Sequence, residues 1–157
     1  MKTLIILLIA PLLIWSLMRA LIVPLLSSRP AAGGLVEDRL AACSSPDNCV
    51  TSAPSDRKPI EPLVFEAASE RQWQQLIDTV TSLPGYKLVR RDGDYVHFEA
   101  RTPLMNYRDD LELHWLRDAK RIDIRSASRL GIKDLGANRA RIDVVRKLLE
   151  LQLKSAV

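Results

Sequence analysis

The stretch DDLELHWLRDAKRIDIRSAS, residues 109–128, decides the fold because apolar and charged residues alternate along it on both sides of a short polar break. Leu111, Leu113 and Trp115 occupy every second position, so their side chains share one side of a strand and the polar residues between them share the other. The break at 117–120 has the length of a hairpin loop. The stretch therefore predicts two antiparallel strands in a sheet with one apolar and one charged face.

The sequence on either side of this hairpin predicts the other elements. The predicted strands lie at 63–66, 86–90, 94–101, 109–116 and 121–128, and the helices run from a capping box at Ser69 and Gln72 to 83 and from about 138 to 153. We therefore predict an α+β fold: an antiparallel sheet in the order strand, helix, four strands, helix, with both helices on its apolar face. This order resembles TBP-like and helix-grip folds.

Loop lengths and charge predict the pairing of these strands. The four-residue loop of the opening hairpin sets His114 opposite Asp123. A three-residue loop between the two preceding strands sets Leu88 opposite Val96. Between the middle strands, the avoidance of facing like charges favours Glu99 opposite His114.

The N-terminus differs in composition from the rest of the chain. Residues 3–26 carry one charge, Arg19, and two prolines, Pro11 and Pro24. As a helix of about 1.5 Å per residue they would reach about 36 Å, enough for a hydrocarbon core of about 30 Å. We interpret them as an uncleaved transmembrane signal-anchor, with a cleaved signal peptide starting at Lys2 as the alternative. The soluble part would then face the periplasm or exterior from the cytoplasmic membrane, or be secreted to the periplasm after cleavage.

Three regions result: a membrane segment at 1–26, an irregular linker at 27–62 that is rich in Ser, Pro and Gly, and the α+β domain at 63–157. The formal net charge is +4, and from residue 63 onward 17 Lys and Arg stand against 14 Asp and Glu. Such a mixed surface argues against a nucleic-acid partner.

The predicted linker holds the only two cysteines, Cys43 and Cys49, in the segment CSSPDNCV. In an oxidising compartment such a pair favours a disulfide, while free thiols or a metal site are the alternatives. Ser44, Ser45 and Asn48 are poor metal ligands, so no metal is expected here. By loop entropy a disulfide would contribute about 2 kcal/mol, enough to fix an irregular segment against the domain.

The charged face of the sheet brings together both histidines and several carboxylates. A metal or acid/base site could use them, but surface charge pairs across neighbouring strands explain the same residues. The residues of this alternative polar face are His97, Glu99, Glu112, His114 and Asp123.

The stretch RSASRLGIKDLGANRARID, residues 125–143, gathers the main candidates for ligand binding. Arginines surround the predicted start of the last helix, where free amides attract anions but the helix dipole disfavours cations. The structural alternative is a salt bridge between Arg129 and Asp134, with Asp134 or Asn138 capping the helix. The ligand-binding candidates are Arg125, Ser128, Arg129, Asp134, Asn138, Arg139 and Arg141.

Three motifs together resemble the bacterial and plastid family called domain of unknown function 1499. They are CSSPDNCV, DD-x-E at 109–112 and RSASR-x-G-x-x-D-x-G-x-NR-x-RI at 125–142, and the resemblance covers roughly residues 40–153. It implies a small α+β domain that is membrane-associated or exported, and it implies no activity. The motif positions that it makes candidates for a shared site are Arg125, Ser126, Ser128, Arg129, Gly131, Asp134, Gly136, Asn138 and Arg139.

These features favour a non-catalytic envelope protein that binds an anionic ligand, such as a lipid headgroup, or a membrane protein partner. Arg129 and Arg139 would contact the anion and Asp134 would orient them, so that Arg129→Ala or Arg139→Ala should remove binding and leave folding intact. The alternatives are a hydrolase or metal-dependent enzyme on the polar face and an accessory subunit of a membrane complex. No cofactor is expected.

Overall fold

The alternating stretch forms the centre of the sheet in a computed structural model, which describes residues 2–28, 33–65 and 69–155. The elements in chain order are α1 (Lys2–Leu17), a π-helical turn (Met18–Ile22), α2 (Val23–Leu26), β1 (Leu35–Val36), β2 (Arg39–Leu40), β3 (Cys49–Thr51), β4 (Leu63–Val64), α3 (Glu70–Ser82), β5 (Tyr86–Asp92), β6 (Tyr95–Arg101), β7 (Arg108–Leu116), β8 (Arg121–Ser128) and α4 (Ala137–Ser155). Glu66, the predicted end of the first strand, lies outside the described residues.

The main sheet is antiparallel and has the strand order β3-β8-β7-β6-β5, with β4 also pairing with β8. Its apolar face packs against α3 and α4, and the core includes Phe98, Leu111, Leu113 and Ile124, each fully buried. Trp73 of α3 lies 5.8 Å from the ring of Trp115. The predicted α+β class, with an antiparallel sheet and helices, is confirmed, whereas the TBP-like or helix-grip resemblance stays a prediction.

The start of α3 follows from its sequence. The Ser69 hydroxyl accepts a hydrogen bond from the Gln72 amide, and the Gln72 side chain accepts one from the Ser69 amide. This capping box satisfies two amides that the first helical turn leaves free. The predicted start of the helix at the capping box is therefore confirmed.

The pairing of the strands was predictable for one hairpin and not for the others. His114 pairs with Asp123 as predicted. Leu88 pairs with Phe98 instead of Val96, because β5 continues to Asp92 and contains a bulge. Glu99 pairs with Asp110 instead of His114, so two carboxylates face each other across the strands.

The lead-in, residues 33–62, carries more structure than its composition predicts. The strand β3 pairs with β8 at the edge of the main sheet, and β1 pairs with β2 in a small separate hairpin. Leu40 and Ala53 are fully buried beside Tyr95 of β6, so the lead-in covers the polar face of the sheet. That face was predicted to carry surface charge pairs, and this is wrong: Glu112, Asp123 and their neighbours are buried. The division of the chain at 26 and 62 stays a prediction.

The N-terminal helix, Lys2–Leu26, is one continuous helical segment made of α1, the π-helical turn and α2. Its part from Leu7 to Leu26 is long and apolar enough to cross a membrane. Between Leu7 and Leu26 most apolar side chains face outward, but Val23 and Pro24 are buried, and the Ser27 hydroxyl just after the helix accepts a hydrogen bond from the Arg108 amide. The helix therefore ends in contact with the α+β domain.

Candidate functional site

Three arginines of the predicted anion site form ion pairs inside the protein. Arg129 donates to Asp110 Oδ1 from Nε (2.9 Å) and Nη2 (2.6 Å), and its Nη1 donates to Glu99 Oε2 (2.9 Å). Only 3% of the Arg129 side chain is exposed. It neutralises the two carboxylates that face each other across β6 and β7, which explains why that pairing is stable.

The other two arginines are also buried, Arg125 on the same face of the sheet and Arg141 on the face that packs against α4. Arg141 donates to Asp109 Oδ2 (2.7 Å), and Arg125 donates to Glu112 Oε2 (2.5 Å). Burial raises the pKa of Asp109, and the Arg141 guanidinium works in the opposite direction. The charge of both arginines is therefore already matched by protein carboxylates. The two ion pairs hold strands and helix together.

The start of α4 is occupied by a protein carboxylate. Asp134 accepts hydrogen bonds from the amides of Gly136 (3.0 Å) and Asn138 (2.8 Å). Partial burial acts to raise the pKa of Asp134, but the amide hydrogen bonds outweigh it and hold that pKa below its usual value. Asp134 is thus the cap, and the predicted salt bridge from Arg129 to Asp134 is replaced by the pairs of Arg129 with Asp110 and Glu99.

Asn138 joins three parts of the fold instead of capping the helix. Its side-chain oxygen accepts from the Ser126 hydroxyl (2.7 Å), and its side-chain nitrogen donates to the carbonyl of Asn48 (2.9 Å) and to the Ser128 hydroxyl (3.0 Å). It is fully buried. Asn138 therefore positions the start of α4 against both β8 and the lead-in.

The disulfide loop braces the segment that leads into α4. Cys43 and Cys49 form a disulfide, as predicted. Inside this loop, Asn48 Nδ2 donates to the carbonyl of Gly131 (2.7 Å), and the carbonyl of Asp47 accepts from the Asp134 amide (3.1 Å). The segment CSSPDNCV thus contacts the loop 129–136 directly, and the sequence motifs meet in one place.

The alternative polar face does not form one open site. His97 Nε2 lies 2.7 Å from Asp110 Oδ1, and Glu99 is held by Arg129. Glu112 accepts hydrogen bonds from the Tyr95 hydroxyl (2.7 Å) and the Gly34 amide (2.5 Å). These groups are occupied by partners within the protein.

His114 and Asp123 lie at the far end of the same face. His114 Nε2 is 3.8 Å from Asp38 Oδ1, and Asp123 Oδ1 is 3.1 Å from Arg121 Nε. Burial raises the pKa of Asp123, and the charge of Arg121 opposes this. Within residues 2–28, 33–65 and 69–155, no three His, Cys, Asp or Glu side chains are arranged to hold a metal ion.

An apolar groove lies beside the start of α4. It has a volume of about 380 Å³ and runs between the loop 102–107 and the loop 128–137. Side chains that line it include Leu104, Met105, Tyr107, Leu130, Lys133 and Leu135. At its mouth Leu135 is 98% exposed and has a φ of 53°.

The groove brings together some of the predicted candidates and adds residues that the prediction missed. Ser128 and Asp134 line it, and Arg139 is exposed on the first turn of α4. Arg125, Arg141 and Asn138 are buried in the fold, as is the side chain of Arg129. The prediction missed the loop 102–107, although the apolar pair Leu104 and Met105 inside a predicted loop was a usable signal, because connecting loops are usually polar.

Comparison with known proteins assigns the chain to a family without assigning an activity. The family described as "Protein of unknown function (DUF1499)" matches residues 39–149, which include the disulfide loop, the whole main sheet and most of α4. No curated protein and no solved structure matches the chain. Since the match covers well over half of its length, the chain belongs to the DUF1499 family.

Proposed function

We propose that this protein is a non-catalytic membrane protein whose groove binds the acyl part of an anionic lipid from the membrane that holds the N-terminal helix. The observation that carries the proposal is Leu135. A bulky residue at positive φ costs about 1–3 kcal/mol of backbone strain, and exposing its side chain to water adds to that cost. Strain of this kind concentrates at functional sites, and an apolar ligand in the groove would cover the exposed side chain.

The position of the groove relative to the N-terminal helix supports a lipid as its occupant. Met105 lines the groove and also packs in an apolar hollow with Trp15 and Met18 of the helix. The Arg19 guanidinium donates to the carbonyl of Pro103 (3.2 Å) in the same loop. One wall of the groove is therefore continuous with the helix that we propose to lie in the membrane.

The charges around the groove are compatible with an anionic headgroup, because the two carboxylates in its wall, Asp109 and Asp134, are already bound by Arg141 and by backbone amides. Lys133 lies in its wall, and Arg139 is exposed on the adjoining turn of α4. Arg129 is committed to Asp110 and Glu99, so its role is to position the two strands beneath the groove. We therefore transfer the predicted headgroup contact from Arg129 to Lys133 and keep it for Arg139.

Two observations support an uncleaved anchor with the domain on the oxidising side. Cleavage after the helix would remove the burial of Val23 and the hydrogen bond from the Arg108 amide to the Ser27 hydroxyl (3.3 Å). The disulfide between Cys43 and Cys49 fits an extracytoplasmic compartment, where such bonds persist. We accordingly propose a signal-anchor in the cytoplasmic membrane and a domain that faces the periplasm or exterior.

Lipid retention by the full chain tests the proposal. The protein is reconstituted into nanodiscs that contain phosphatidylglycerol and phosphatidylcholine, released into mild detergent and weighed intact by native mass spectrometry. We expect one phosphatidylglycerol per chain. Leu135→Asn should reduce the retained fraction about tenfold or more, because burial of a leucine side chain contributes about 1.5–3 kcal/mol and each 1.4 kcal/mol is about tenfold.

The same substitution separates binding from folding. Asparagine adopts positive φ more readily than leucine, so Leu135→Asn should raise the thermal midpoint while it lowers lipid retention. Val64→Asn is the matched control: Val64 is 63% exposed and pairs with Arg121 at the opposite end of β8 from Ser128. Equal retention by wild type and Leu135→Asn would contradict the proposal, as would loss of lipid in Val64→Asn.

A further inference from the structure

The single charged residue after Lys2 in the N-terminal helix marks a position along it. Arg19 lies within the π-helical turn, and its guanidinium is 5.7 Å from the centre of the Trp15 ring. It also donates to the Pro103 carbonyl of the domain. Arginine and tryptophan are favoured where a helix passes from hydrocarbon to headgroups, and a charge is costly at the bilayer centre. The contacts of Arg19 are therefore typical of a residue at the boundary between membrane and water.

After Arg19 one side of the helix packs on protein, while Leu21, Leu25 and Leu26 on its other side remain 61%, 70% and 58% exposed. Val23 is 2% exposed, and the Ser27 side chain is fully buried and contacts the Arg108 amide. Before Arg19 the outward-facing residues are apolar, with Leu12 64% and Leu13 64% exposed. On the side of the helix that faces the domain, the surroundings therefore change at the π-helical turn, well before its last residue.

The length of the helix before this turn is short for a membrane span. The 16 residues of α1 reach about 24 Å at about 1.5 Å per residue. A hydrocarbon core is about 30 Å thick, so about 6 Å remain to be matched. A short span is accommodated when the bilayer thins or when flanking residues enter the interface.

The loop that contacts the helix has the composition to enter the interface. Leu104 is 69% exposed and lies between Pro103 and Met105, which contact the helix near Arg19 and Met18. Ile132, in the loop on the other side of the groove, is 82% exposed. In interfacial amphipathic helices, the apolar side chains enter the boundary between headgroups and acyl chains to a depth of about 5–10 Å. Exposed apolar side chains beside a membrane anchor are placed to enter the same boundary.

We infer that the bilayer surface crosses the N-terminal helix at Trp15 to Arg19 and that the tip of the loop 102–107 is immersed in the adjoining leaflet. The last two turns of the helix then lie against the domain on one side and expose Leu21, Leu25 and Leu26 to the interfacial region on the other, and the domain is held against the lipid surface in a fixed orientation. The inference rests on the proposed membrane anchor, and it does not require that the groove binds a lipid.

Depth-dependent quenching tests the inference in the full chain. Single cysteines are introduced as Leu12→Cys, Leu104→Cys and Val64→Cys, at positions whose exposed fractions are 64%, 69% and 63%. Because the native cysteines form a disulfide, only the introduced thiol takes the fluorescent label. The labelled proteins are placed in phosphatidylcholine and phosphatidylglycerol nanodiscs whose lipids carry a nitroxide either near the headgroup or deep in the acyl chain.

We expect the label at position 12 to lose fluorescence to the deep nitroxide and the label at position 104 to lose it to the shallow one. The label at position 64 should keep its fluorescence with both. Quenching at position 12 without quenching at position 104 would overturn the inference and leave the anchor intact. No quenching at position 12 would overturn the anchor and the inference with it, and quenching at position 64 would contradict the orientation.

Discussion

At the scale of single residues, Arg129 and Arg139 belong to one sequence motif but have opposite surroundings. The Arg129 side chain is 3% exposed and bound to two carboxylates, whereas Arg139 is exposed. The sequence could predict that arginines gather at the start of α4. It could not predict which of them are buried, because the covering comes partly from the lead-in and from carboxylates on strands distant in sequence.

This difference predicts that the two alanine substitutions change the free energy of unfolding by very different amounts. Arg129→Ala should lower the free energy of unfolding by about 3 kcal/mol or more, because Asp110 and Glu99 would remain buried without their partner. Arg139→Ala should change it by less than about 0.5 kcal/mol, as is usual for an exposed side chain. Denaturant titration of the full chain in detergent measures both, and similar stabilities for the two variants would contradict the buried ion-pair layer.

The cap of α4 predicts a pH-dependent contribution. Amide hydrogen bonds hold the pKa of Asp134 below its usual value, so the folded state binds a proton less readily than the unfolded state. The stabilisation is therefore complete above the unfolded pKa of about 3.9 and is lost as the pH falls through the folded pKa.

Asp134→Ala should accordingly cost about 1 kcal/mol at neutral pH, and the difference from wild type should shrink below about pH 4. Thermal unfolding at a series of pH values measures this difference. A difference that stays constant down to strongly acidic pH would show that Asp134 does not act as a charged cap.

At the scale of elements, tight local geometry was predictable and irregular geometry was not. The β7–β8 pairing follows from a four-residue loop and a regular alternation. The β5–β6 pairing did not, because the strands continue to a two-residue turn at Gly93 and Asp94 where a three-residue loop was predicted, and a bulge after Leu88 then moves the register by one residue. The pairing of Glu99 with Asp110 was missed because Arg129, which neutralises both, comes from beyond the end of β8.

The lead-in covers the polar face through a close contact at Gly33. A Cβ atom at this position would lie 2.6 Å from Glu112 Oε2 and 2.8 Å from Arg125 Nη1. The absence of a side chain thus lets the backbone pass directly over a buried ion pair. Composition alone predicted a linker here, since a glycine needed for close approach and a glycine in a flexible segment look the same in sequence.

We therefore expect Gly33→Ala to destabilise the protein by about 1–3 kcal/mol through overpacking. The control is Ser44→Ala at an exposed position of the same lead-in, which should leave the thermal midpoint unchanged. An unchanged midpoint for Gly33→Ala would mean that the lead-in does not press on the pair of Glu112 with Arg125.

At the scale of the whole molecule, the N-terminal helix, the loop 102–107 and the groove lie on one side of the domain. The sequence predicted a membrane segment and a binding region near α4 as separate features. Their proximity depends on the antiparallel pairing of β7 with β8, which brings the start of β7 and the end of β8 to the same end of the sheet. At that end, the Arg108 amide donates to Ser27 after the N-terminal helix, and Ser128 lines the groove.

The most direct test of the proposed lipid site is photocrosslinking of the full chain in nanodiscs that contain phosphatidylglycerol with a diazirine in its acyl chain. We predict one groove adduct per chain that includes Leu130, which is half-buried and therefore shielded from bulk lipid, in addition to adducts of bulk lipid on the tip of the loop 102–107. Leu135→Asn should lose the groove adduct, while adducts on the N-terminal helix persist. Adducts confined to the helix and the loop tip in the wild type would contradict the account.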